Sequence, residues 1–260
     1  IDNPIVFISA LIGILQYTRI LPWIINVLGL AISKINGMGR LESYNAVAAA
    51  ILGQSEVFIS LKKELAHIPK QRLYTLTASA MSTVSASIIG AYFTLIEPRF
   101  VVTAVVLNLF GGFIIASIIN PYKIDAKEDK LIVDESESGK QSFFEMLGEY
   151  ILDGFKVAVI VGAMLIGYIA IIALLNGVVS AIFTGLSGGS ITWDFQTLIG
   201  FVFAPFAFLV GVPWNDAVQA GSIMATKLLS NEFVAMQSLS QVKDMSAHAK
   251  GVISVFVVSF

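Results

Sequence analysis

Two acidic residues stand in otherwise apolar surroundings, and their neighbours make them the first candidates for chemistry. Glu56 follows Gly53, Gln54 and Ser55, so an amide, a hydroxyl and a carboxylate meet at one break in an apolar run. Glu232 follows Asn231 in a second such run. A carboxylate at membrane depth is costly, and by default it marks a substrate site or a proton path. Amide and hydroxyl groups beside it suit a polar ligand. Half-helix N-termini at both breaks would add free backbone N–H donors. Either carboxylate could instead cap a half-helix or pair with a buried lysine such as Lys227, and the sequence leaves these readings open. His67 and His248 fall in loops. No spacing of His, Asp or Glu resembles a metal site, and no nucleophile–base set, phosphate loop or cofactor fingerprint occurs, so neither metal nor cofactor is expected.

The elements that must hold these residues are apolar. Of 260 residues 56% are apolar and only 13% charged, with a mean hydropathy of +0.82. Soluble domains carry about 25% charged residues. Ten of the charges crowd into Lys123–Lys140, which thins the rest further. This excludes a disordered chain, a nucleic-acid binder and an ordinary soluble enzyme. A net charge of −2 points to no polyanionic partner, and the absence of cysteine excludes disulfides and thiolate chemistry. The expected fold is an all-α polytopic membrane protein. Leu73–Ile96, Phe100–Tyr122 and Val157–Trp193 carry no charge, and each is long enough to span a bilayer. Asn3–Thr18 is shorter and also charge-free. Chain ends at Ile1, with no initiator Met, and at Phe260, inside an apolar run, read as trimmed.

Two stretches fit hairpins better than spans. The segment 41–67 places Gly53–Glu56 between two half-length helical patterns, and 213–240 places Asn231–Glu232 in the same way. Non-helical backbone at membrane depth survives only where it is buried in protein or lines a wet cavity. These are read as re-entrant hairpins in an inverted repeat whose interrupted helices meet around a substrate. The first repeat is 1–122: a span, an interfacial helix at 21–35, hairpin 1, a broken span at 73–96 and a span at 100–122. Residues 123–141 form a charged cytoplasmic linker. The second repeat is 142–260: an amphipathic helix at 142–153, a span at 157–176, an outer connector, hairpin 2 and the start of a broken span at 249–260. Placing Lys62, Lys63, Lys70, Arg72 and the linker lysines inside follows the bias of basic residues toward cytoplasmic loops. Hairpin 1 then opens inward and hairpin 2 outward, with Trp193 and Trp214 at the outer interface. In the run Met81–Ser87, Thr83, Ser85 and Ser87 either satisfy carbonyls of a kinked helix or line the cavity.

Six motifs carry a resemblance: Gly37-Met38-Gly39-Arg40-Leu41-Glu42-Ser43, Gly53-Gln54-Ser55-Glu56, Met81-Ser82-Thr83-Val84-Ser85, Asn120-Pro121-Tyr122, the run Gln141 to Tyr150, and Asn231-Glu232-Phe233-Val234-Ala235. Through these the chain resembles the concentrative nucleoside transporters, and within them the bacterial proton-coupled branch. The resemblance implies a homotrimer in the bacterial inner membrane, with a transport domain moving like an elevator through a scaffold. It implies nucleoside symport, with substrates of the uridine, cytidine or adenosine type. It assigns Gln54 and Glu56 to the nucleobase, with Ser55 where the family usually has Thr. Glu232 falls on the ribose position and Ile88 on the apolar contact to the base. Ser259-Phe260 match the start of a ribose-binding run, which adds Phe260 to the expected site. The sodium-coupled branch has Asn and Val where this chain has Ala49 and Leu52. A methyl group cannot supply the oxygen a hard cation needs, so the expected coupling ion is H+, with Glu56 or Glu232 as carrier. Two other readings remain at this point: a sodium-coupled nucleoside symporter, and an intramembrane enzyme using paired carboxylates as acid and base.

Overall fold

The computed structural model describes residues 4–53, 57–58, 61, 65, 68–124, 142–190 and 192–259. Their regular structure is helical throughout: α1 Pro4–Tyr17, α2 Ile20–Asn36, α3 Arg40–Leu52, α4 Lys70–Met81, α5 Ala86–Tyr92, α6 Pro98–Ile119, α7 Phe143–Leu186, α8 Phe195–Leu209, α9 Trp214–Leu229, α10 Glu232–Gln241 and α11 Ala247–Val258. Helices α6 and α7 are long and apolar enough to cross a membrane. Two further apolar pairs are sharply bent, α1 with α2 by 83° and α8 with α9 by 114°. The chain divides into two compact units. Unit one holds 1–91, 105–158 and 259–260; unit two holds 92–104 and 159–258.

In unit one, α1 stops where Thr18 turns its hydroxyl back to the Ile14 carbonyl at 2.9 Å. Arg19 then takes a left-handed conformation with φ 59°, which a non-glycine residue adopts at a cost. Helix α2 lays Leu21, Ile25 and Ile32 onto the core and packs on α3. The first arm of hairpin 1, α3, is buried from Leu41 to Ala49. Buried amides and charges require partners, and α4 supplies them. Asn45 Nδ2 donates to the Leu76 carbonyl at 2.9 Å and to Ser79 Oγ at 3.1 Å. Arg72 grips Glu42 with two bonds, at 2.6 and 2.8 Å. Arg72 was expected among the cytoplasmic loop charges. It lies instead in the first turn of α4 and is buried, because an ion pair beneath the surface neutralises both groups.

Between α4 and α5 the helix opens over residues 82–85. Ser82 and Thr83 donate to the carbonyls of Ser79 and Ala80, each at 3.0 Å. The hydroxyls of Ser82 and Thr83 thus satisfy backbone that the break exposes.

Two expectations are corrected in the second half. The amphipathic helix at 142–153 and the span at 157–176 are one helix, the 44-residue α7. No proline interrupts it, and Ser142 and Glu145 cap its start reciprocally, at 3.3 and 3.4 Å. At 1.5 Å per residue it is about 66 Å long, roughly twice the hydrocarbon thickness. The outer connector contains a helix of its own, α8. Asp194 caps it, accepting from Thr197 N at 2.8 Å. Its all-round apolar sequence hid it, because such a stretch has no period that separates helix from connector.

Within unit two, α8 packs tightly on α9. A Cβ on Gly221 would lie 2.7 Å from the Gly200 carbonyl, so only glycine permits this approach. The chain turns between these helices at Gly211, whose φ is 102°. Helices α9, α10 and α11 pack on one another and bury Ile223, Met224, Val234, Met236, Ile253 and Val257.

Candidate functional site

Hairpin 2 breaks between α9 and α10. The last turn of α9 closes when Ser230 N donates to the Thr226 carbonyl at 2.9 Å. Asn231 is extended, and its side chain accepts from Val234 N at 3.0 Å. Asn231 is therefore the helix cap, and Glu232 is the first residue of α10. Of the readings left open for this carboxylate, capping is excluded by that bond. A carboxylate in a first turn sits where the helix dipole and unused N–H groups favour an anion.

The partner of Glu232 is Tyr92, whose hydroxyl donates to Oε1 at 3.0 Å. Tyr92 ends α5 and is fully buried, with its ring 5.2 Å from that of Phe233. Among the described residues, Glu232 Oε2 receives no hydrogen bond. One oxygen is thus fixed by the protein, and the other keeps its acceptor capacity. Lys227 does not bridge to Glu232. Its Nζ donates to the Phe256 carbonyl at 2.9 Å and lies 5.1 Å from the Phe256 ring centre, while still feeling the Glu232 charge.

The other expected residues divide as follows. Gly53 ends α3 with φ 105°, a conformation that favours glycine. Its N–H donates to the Ala49 carbonyl at 3.0 Å. A Cβ there would lie 3.3 Å from Ser85 Cβ, so in unit one the end of the hairpin arm rests on the break between α4 and α5. Ile88 is half-buried in α5, its N–H on the Ser85 carbonyl at 3.0 Å. Gln54, Ser55, Glu56 and Phe260 lie outside the described residues, as do His67 and most of the linker. Among the described residues no group of three His, Asp or Glu could hold a metal ion. A polar cleft of about 680 Å³ opens at the mouth of hairpin 2, lined by Asn215, Gln219, Ser222, Ser238, Gln241 and Lys243 among others. Glu232 is not part of its lining.

Sequence reasoning missed Tyr92. A tyrosine closing a buried helix needs a partner for its hydroxyl, but nothing in the order of residues says which.

Residues 100–260 match a family model described as the C-terminus of Na+ dependent nucleoside transporters. Residues 3–99 match one described as nucleoside recognition. The chain belongs to the concentrative nucleoside transporter family. Among curated relatives, the purine nucleoside transport protein NupG of Bacillus subtilis is 35% identical over 99% of this chain and 63% of its own length. The nucleoside permease NupC of Helicobacter pylori is 28% identical over 98% of this chain and 62% of its own. The chain thus spans less than two thirds of these family members, which are a transporter and a permease rather than enzymes. An intermediate state of a CNTnw variant superposes with a TM-score of 0.84 at 25% identity, covering 98% of this chain and 63% of that one. CNTnw in an inward-facing substrate-bound state gives 0.83 at 24% identity, with 98% and 61% covered, and supports the same fold.

Proposed function

We propose that this chain is the core of a secondary active transporter that imports nucleosides by proton symport. The observation that carries the reading is Glu232: a carboxylate at a hairpin break, held on one oxygen by Tyr92 and open on the other. An open carboxylate oxygen is an acceptor for sugar hydroxyls. In this reading Gln54 and Glu56, with Ser55, bind the nucleobase; Ile88 and Phe260 pack against the nucleoside; Gly53 and Asn231 shape the two breaks. Glu56 or Glu232 carries the proton. Ala49 supports H+ over Na+, because it offers a methyl group where a cation would need oxygen, and its carbonyl already accepts from Gly53. The protein works as a homotrimer of the elevator type in a bacterial inner membrane.

Uptake of radiolabelled uridine and adenosine into vesicles carrying the full-length protein tests this. NupG is named a purine nucleoside transport protein, so the purine arm is essential. The expected result is accumulation of unchanged nucleoside on an inward proton gradient without sodium. Accumulation only on a sodium gradient overturns the coupling. No accumulation, or a chemically altered product, overturns the function.

A further inference from the structure

In unit one the end of a hairpin arm meets an interrupted helix through close packing, Gly53 against Ser85. In unit two the corresponding meeting is made by a charge. Lys227 lies in the last turn of α9, just before the hairpin break, and reaches the Phe256 carbonyl in the last turn of α11. The last four carbonyls of a helix have no partner within it. A cation bound there satisfies one of them and complements the negative end of the dipole. The stem of Lys227 is half-buried, and burying an ammonium is favourable only where donors find acceptors. The bond to Phe256 and the ring beside it meet that need, and the Glu232 charge lies within electrostatic reach.

We infer that Lys227 is a positioning residue of the nucleoside site: its ammonium ties the first arm of hairpin 2 to the C-terminal end of α11, and so holds in place the break that presents Glu232. The inference rests on the nucleoside reading above. Lys227 touches no substrate. It sets the distance between the break that presents Glu232 and the C-terminal end of α11. Losing the tie loosens the pocket and weakens binding, while the rate of the loaded carrier is kept.

The test uses the full-length protein in vesicles. Lys227→Met keeps the length and apolar stem but loses the charge; Lys227→Arg keeps a donor and the charge. Lys227→Met should raise KM for nucleoside uptake about tenfold, as expected for losing a hydrogen bond from a charged group, with Vmax per inserted protein within about twofold. Lys227→Arg should restore most of the affinity. A Lys227→Met protein with unchanged KM, or with Vmax alone reduced, overturns the inference, as does an arginine variant no better than methionine. If Lys227→Met fails to insert, Lys227→Gln, which keeps an N–H donor, replaces it; failure of both assigns the residue to folding and overturns the role. If the parent protein moves no nucleoside, the functional reading is what fails. Hydrogen exchange at the C-terminal end of α11 then decides: faster exchange in Lys227→Met supports the tie, and unchanged exchange overturns it.

Discussion

Each unit contains a carboxylate that accepts a tyrosine hydroxyl at 3.0 Å: Glu42 from Tyr122 in unit one, Glu232 from Tyr92 in unit two. The surroundings of the two differ. Glu42 is fully buried, and Arg72 takes both of its oxygens in a bidentate pair. Its acceptor capacity is spent inside the protein, and its charge is cancelled by a guanidinium that cannot lose its proton. Glu232 is half-buried and has one oxygen occupied, by Tyr92. The same side chain is a structural clamp where its partners saturate it and, in the function proposed here, a ligand site where they do not.

The largest effect should come from breaking the clamp. Glu42→Ala takes from the buried Arg72 the carboxylate that holds it with two bonds, which costs about 3–5 kcal/mol. Thermal unfolding in detergent should show a collapse in stability, and an Arg72→Met change added to it should recover part of the loss. If Glu42→Ala unfolds like the parent, the two carboxylates are not different in kind. Glu232→Gln should do the opposite: near-parental unfolding with nucleoside affinity weakened about 10–100-fold, the scale of losing charge-assisted hydrogen bonds. Binding calorimetry reads this directly, and undiminished affinity removes Glu232 from the site. Smaller again is Gly53→Ala, which forces a side chain into φ 105° and should cost about 1 kcal/mol or more. An unaltered melting temperature would mean the end of α3 is not held in that conformation. The subtlest comparison is Tyr92→Phe against Tyr122→Phe. Each removes one hydroxyl bond of about 1 kcal/mol, but the first should appear as a several-fold rise in KM and the second as a small loss of stability. Both appearing only in stability would erase the distinction.

Hairpin 2 was legible because its signals are local. Asn231 and Glu232 mark the break in an apolar run, but the sequence offered Glu232 as a possible cap, whereas the structure gives that role to Asn231 and leaves Glu232 in the first turn. The break within 73–96 was legible from its hydroxyl cluster. Helix α8 was not, because an all-apolar stretch has no period to distinguish helix from connector. The union of 142–153 with 157–176 was hidden by a change of surface along one continuous helix, from amphipathic to wholly apolar. Arg72 was misplaced because a basic residue near a span normally faces water; only the position of Glu42, thirty residues earlier, makes burial tolerable.

Composition alone established that this is a helical membrane chain, since so few charges over so many residues cannot clothe a soluble surface. Local order marked where helices must stop, because glycine conformations and caps act over a few residues. Which groups meet was decided by packing across long separations. Tyr92 reaches Glu232 over 140 positions and Lys227 reaches Phe256 over 29. Such pairs leave no trace in residue spacing, because what fixes them is the burial of polar atoms that must find partners once the helices have closed around them.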